Sequence, residues 1–140
     1  MHANILKYCP NRKFSSVEEH DSGLIKAWNS VIRPKDTVFH LGDVAFSTIS
    51  SCYPILNALN GSIVLITGNH DVRHLKDSTF RSRFSSIKNY HELEVSFRGH
   101  TAFIVLSHYP FQSWNKMRHG SFHLHGHVHN NPVSLPLSNM

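Results

Sequence analysis

The sequence is poor in sulfur and has no long apolar run. Only two of its 140 residues are cysteine, Cys9 and Cys52, and neither stands in a Cys-x-x-Cys pair. That excludes a disulfide framework and points to a reducing compartment. No stretch approaches the roughly 18 apolar residues that a membrane-spanning helix needs. His2, Asn4 and Lys7 fall where a secretory leader would carry its apolar core. No membrane partner is expected, and the expected location is cytoplasmic. Internal repeats and low-complexity linkers are missing too, and 140 residues suit one domain, taken as 1–140, better than two. Acidic residues are scarce: nine Asp and Glu against 14 Lys and Arg leave a formal charge of +5. Such a surface favours anionic ligands, phosphate esters or nucleic acid. The basic residues are scattered and build no dense arm, so a dedicated DNA grip is the weaker reading.

What the chain has in excess is histidine, 13 residues, four of them in "HLHGHVHN": His123, His125, His127 and His129. Residues two apart on a strand face the same way, so this run predicts several ring nitrogens on one side. An accidental polar edge strand is the bland explanation. A metal site is the sharper one, because neutral imidazole is the commonest protein metal ligand.

The rest of the chain reads as mixed α/β. "SSVEEHDSGLIKAWNSVIRP" predicts a helix, opened by Ser16 with Glu19 as a capping box and stopped by Pro34. Val17, Leu24, Ile25, Trp28, Val31 and Ile32 form its apolar face, and Trp28 is expected in the core. A strand is expected over Thr37–Leu41, then a helix over Cys52–Leu59 with Pro54 in its first turn. "SIVLIT" predicts a strand buried on both faces. An irregular helix is expected between Asp77 and Ile87, with Phe80, Phe84 and Ile87 inward. "HELEVSFRGHTAFIVLSHYP" predicts a hairpin turning at Arg98–Gly99, and "SFHLHGHVH" a last strand.

One regularity gives these elements a function. Four β-runs end in polar clusters: Gly42–Asp43, Gly68–Asn69–His70–Asp71, Ser107–His108 and Gly126–His127–Val128–His129. In layered α/β folds, ligands bind beyond the carboxyl ends of strands. Asp, Asn and His together supply mixed oxygen and nitrogen donors, a set that suits Mn, Fe, Ni or Zn better than Ca or Mg. Asp43 has two carboxylate oxygens, enough to bridge two ions. Paired ions about 3.5–4 Å apart can clamp the attacking and leaving oxygens of a displaced phosphoryl group. His70, beside a ligand, is placed to protonate a leaving alkoxide.

These motifs, "GD" at 42–43, "GNHD" at 68–71, "SHYP" at 107–110 and "GHVH" at 126–129, resemble the ordered motifs of the calcineurin-like metallophosphoesterases. The similarity is to their small bacterial and bacteriophage members, and it extends to "HANILKYC" and "FSSVEEHDSGLIKAWNSVI". It implies a layered β-sandwich flanked by helices and hydrolysis of a phosphate mono- or diester, either nucleotide-like or a small molecule. It also implies that Asp43 bridges two metals, that Asn69, His108 and His127 complete one site, and that His129 serves the other. His70 corresponds to the catalytic histidine, with Asp71 orienting it, and His2 to a phosphate contact. His123 and His125 match no ligand position and are expected to be ordinary strand residues or supports behind the ligands, while His119 is evenly divided between pocket lining and loop capping.

The family usually opens with a strand ending in Asp-x-His, and the chain contains no such motif ahead of "GD". It also ends soon after "GHVH", so truncation at both ends is expected, with a weak second metal site. The open sheet edge next to "TVFHL" should then favour self-association. Two alternatives stay open: a metal- or nucleotide-binding remnant without turnover, and a basic nucleic-acid-binding module. "GDVAF" is not followed by the acid and Arg of the superfamily's protein Ser/Thr phosphatases, which argues against a phosphoprotein substrate.

Overall fold

The computed structural model describes residues 14–129. His2, Cys9, "HANILKYC" and the closing "NNPVSLPLSNM" lie outside them, as do the expectations attached to the two ends.

Ser16 opens the first helix, α1 (Val17–Val31), its hydroxyl accepting the Glu19 N–H at 3.1 Å. Glu19 does not close the box on Ser16. Its carboxylate accepts instead from the Ser15 backbone N–H, at 2.8 Å, and from the Ser15 hydroxyl. The predicted apolar face is only partly used: Leu24 is 41% and Val31 72% exposed, and His20 is the fully buried residue of the helix. The helix leans on the core through Trp28, whose Nε1–H donates to Asn60 O at 2.9 Å. Asn29 strengthens that contact, donating to Ala58 O and accepting from Asn60 N–H, both at 2.8 Å. A narrow contact of this kind covers one stripe and leaves its flanks in solvent.

Three short strands follow, β1 (Thr37–His40), β2 (Ser62–Ile66) and β3 (Phe84–Lys88), all parallel in the order β1-β2-β3. Central β2 is buried from Ile63 to Ile66, as its unbroken apolar run requires. The crossover from β1 to β2 carries α2 (Ile49–Asn57), which starts three residues before the expected Cys52. Pro54 is therefore inside the helix, not in its first turn.

The expected irregular helix over Asp77–Ile87 is a second correction. Asp77 does cap a helix, accepting the Phe80 N–H at 2.9 Å, but that helix, α3, is only Ser78–Arg81. Phe84 onward is strand β3, drawn out by the ladder that β2 offers it; tertiary pairing overrides local spacing here. Phe80 and Phe84 do point inward, their rings 5.2 Å apart. They join Val44, Ala45, Cys52, Leu56, Ile63 and Leu65 in the core.

The second sheet has the order β4-β5-β6, from β4 (Tyr90–Phe97), β5 (His100–Ser107) and β6 (Phe122–His125). The β4–β5 hairpin turns at Arg98–Gly99, as expected, with φ of 50° and 81°. Two successive positive φ values mark the tight turn that matches strand twist. Strand β6 runs parallel to β5 and stops at His125, four residues before the expected end. His127 and His129 leave the ladder with φ of 66° and 54°, so the four imidazoles do not form one strand face. Among the described residues the fold is mixed α/β with two three-stranded sheets. Phe39 of β1 and His91 of β4 stack across them with ring centroids 5.4 Å apart. No helix among the described residues is long and apolar enough to cross a membrane.

Candidate metal centre

Four strand ends deliver their polar residues to one place. Asp43 follows β1, Asn69 follows β2, His108 follows β5 and His127 follows β6. Asp43, His108 and His127 each offer a donor atom, and the three atoms lie within 4.8 Å of one another. His108 Nε2 is 3.4 Å from Asp43 Oδ2 and 3.1 Å from Asn69 Oδ1. The two sheets share no ladder, so this meeting joins side chains from both.

The tautomer of His108 follows from its other nitrogen. Nδ1 lies 2.7 Å from Leu41 O, and a carbonyl oxygen can only accept, so Nδ1 carries the hydrogen. In the neutral ring the Nε2 lone pair then faces the Asp43 and Asn69 oxygens. With the ring neutral, three acceptors converge with no proton between them, an arrangement that a cation would fill. A backbone carbonyl fixing the outer nitrogen is also the usual way a ligand histidine is aimed.

Asp71 holds the loops that carry the donors. Its carboxylate is fully buried and accepts three backbone N–H groups: Asp43 at 2.8 Å, Val44 at 2.8 Å and Gly68 at 2.9 Å. The expectation that Asp71 orients His70 is corrected accordingly: its oxygens are committed to the backbone of the β1 and β2 loops. His70 is exposed and lies at the rim. Its N–H donates to Asp43 Oδ1 at 2.9 Å, and its ring packs on Phe46 with centroids 4.1 Å apart.

Glycine is required where these loops touch. A Cβ on Gly68 would lie 2.3 Å from Asp43 Oδ1 and 2.6 Å from Asp43 N. One on Gly42, which also has φ +90°, would lie 2.5 Å from Gly68 N and 2.6 Å from His108 Nδ1. Gly68→Ala should therefore push the two loops apart and cost about 1–3 kcal/mol, as overpacking usually does. Thermal unfolding and metal content measured on the variant check this; an unchanged melting temperature with full metal uptake would refute the close-contact argument.

Backbone strain gathers at the same place. Five non-glycine residues among those described have left-handed φ, and three are Asp43, His127 and His129. Such conformations cost energy and concentrate at functional sites. His129 is exposed and stands outside the converging trio.

The remaining histidines divide. His123 is held between Phe111, stacked at 5.0 Å, and Trp114, at 5.1 Å, and its Nε2 is 2.8 Å from Ser107 Oγ. Burial pushes its pKa below the ordinary value, with repulsion from His125 adding to it. His125 Nδ1–H donates to Gly126 O at 3.0 Å. His119 is exposed in a short turn, Met117–His119. One neighbour of the centre escaped the sequence reading: His40, the last residue of β1. Its Nδ1 accepts the Gly42 N–H at 3.2 Å. Burial lowers its pKa, against an opposing pull from Asp71 and Asp43 and with help from His108. The available signal was alternation along β1, which puts His40 on the face of Val38.

No protein-family model matches the chain. It is 39% identical over 132 residues to the uncharacterized protein MJ1445 of Methanocaldococcus jannaschii, a match covering 93% of this chain and 64% of that protein. It is 30% identical over 137 residues to the Gene 66 protein of Mycobacterium phage L5, covering 81% of this chain and 66% of that one. The chain thus spans slightly under two thirds of each. The Gene 66 protein of Mycobacterium phage D29 is 27% identical over 161 residues, covering 99% of this chain and 80% of the phage protein. Among solved structures, the protein of unknown function AQ665 from Aquifex aeolicus has a similar fold, with a TM-score of 0.63 at 25% identity. That match covers 95% of this chain and 76% of the Aquifex protein.

Proposed function

We propose that the chain is a metal-dependent phosphoesterase of the calcineurin-like type, hydrolysing a phosphate mono- or diester. The observation that carries this reading is the convergence of Asp43 Oδ2, Asn69 Oδ1 and the His108 Nε2 lone pair, with His127 at the same point. These donors fit a divalent transition ion, Mn, Fe, Ni or Zn. When bound, such an ion polarises a phosphoryl oxygen and lowers the pKa of water toward about 7.

The chain's own residues do the rest. Asp43 offers Oδ2 toward His108, while Oδ1 is fixed by the His70 N–H, so its carboxylate is aimed before a ligand arrives. His70 stands at the exposed rim and donates a proton to the leaving oxygen as its bond to phosphorus breaks. The surplus of cations draws an anionic ester toward the rim. By the family resemblance, His129 with Asp43 serves a second ion. A layered sandwich of the two sheets, and self-association through the outer edge of β1, are part of the same reading.

The test is metal content per chain in protein purified without added metal and then titrated. Asp43→Asn should lose more bound ion than His125→Ala, because His125 has its Nδ1–H on Gly126 O and stands outside the donor group. Equal losses would sink the assignment. A chromogenic phosphodiester, assayed with and without metal, completes the experiment. Metal uptake without hydrolysis would support the remnant, and salt-sensitive DNA binding without metal would support the nucleic-acid module.

A further inference from the structure

The residue after His108 is an aromatic ring with nothing yet to do. Tyr109 is 46% exposed although it belongs to a tightly held turn. Its ring meets His108 edge-on, with centroids 5.0 Å apart, and His127 likewise at 4.7 Å. It therefore borders two of the converging donors while nearly half of it is open to solvent. A tyrosine needed only as packing between two imidazoles would be expected to be covered.

The turn that presents it is fixed from behind. Ser107 is buried, and its hydroxyl donates to Tyr109 O at 2.6 Å. With its hydrogen spent there, Ser107 Oγ accepts from His123 Nε2–H at 2.8 Å. His123 is itself clamped by Phe111 and Trp114. An aromatic block on the far side of the turn thus locks the backbone of Tyr109, by way of one imidazole and one hydroxyl. This gives the strand histidine His123 a purpose that metal ligation does not.

We infer that Tyr109 is a stacking platform, and that the esters taken by this centre carry a planar aromatic ring close to the phosphate, as a nucleotide does. The inference rests on the metal-centre reading above and adds a substrate class to it. Base–aromatic stacking is sequence-tolerant, because every nucleobase has a π face, and removing a stacking partner typically weakens binding about ten-fold. A phosphate gripped at the donors and a ring laid on Tyr109 would make two contacts, one electrostatic and one apolar. A sugar phosphate would make only the first.

The experiment compares adenosine 5′-monophosphate with ribose 5-phosphate on the metal-loaded full chain, by calorimetry and by competition with a chromogenic phosphodiester. The nucleotide should bind about ten-fold more tightly to the unaltered protein. Tyr109→Leu keeps bulk against the two imidazoles and removes the π face. It should retain the metal, leave ribose 5-phosphate affinity unchanged and abolish the nucleotide's advantage. Tyr109→Phe should preserve that advantage. Equal affinity of the two ligands in the unaltered protein, or an advantage that survives in Tyr109→Leu, overturns the inference alone. Failure of both ligands to bind overturns it together with the reading of the centre.

Discussion

Replacing His70 with alanine should lower kcat for a phosphodiester by about 10²–10⁴, the usual worth of a positioned proton donor. Metal content should hardly change. The geometry separates these effects. The bond between His70 and Asp43 runs from the His70 backbone N–H, which alanine also has, so Asp43 keeps its orientation. What is lost is the imidazole on Phe46 at the rim. Single-turnover kinetics beside metal analysis give both readings on one sample. A variant that also loses its metal would make His70 a ligand, and one with unimpaired kcat would remove it from the chemistry.

Asp71→Ala should have the larger effect on the fold. One buried carboxylate satisfies three backbone N–H groups from two loops, and the substitution leaves all three without their acceptor. Each buried group left unpaired costs about 1–3 kcal/mol, so a total of about 3–9 kcal/mol is expected against a domain stability of only ~5–15 kcal/mol. Denaturant unfolding should show a sharply lower midpoint. Metal binding should fall with it, because Asp43 and Gly68 are both released. Were Asp71 merely an orienter of His70, the variant would lose turnover and keep its midpoint, so the midpoint decides between the two roles.

The strand ends were legible because their signals are local. Unbroken apolar runs such as "SIVLI" stop at small residues, Gly42, Gly68 and Ser107, and polar residues follow, so Asp43, Asn69 and His108 could be placed at a rim before any pairing was known. Partners distant in sequence were not legible. Asp71 sits next to His70, and adjacency suggested a dyad; its real partners include N–H groups 27 and 28 positions away. Alternating histidines suggested a strand through His129. The chain turns instead at His127 (φ 66°), where Val128 N–H donates to Gly126 O at 2.8 Å, beside a glycine whose Cβ would lie 3.0 Å from Leu41 O, a contact only the assembled fold reveals. The β3 segment was misread for the same reason, since its ladder partner is β2.

The span of those contacts also sets an order of events. The β4–β5 hairpin joins neighbours through a two-residue turn, a loop closed in microseconds. The centre closes through His108 on Leu41, 67 positions apart, and His108 on Asn69, 39 apart. Closing long loops is entropically costly until many other contacts repay it, so remote pairings come late. The donors of this centre are thus among the last groups the chain brings together. A nascent chain that has not yet emitted His127 has no complete donor group, so on the proposed reading ion capture would coincide with the end of folding.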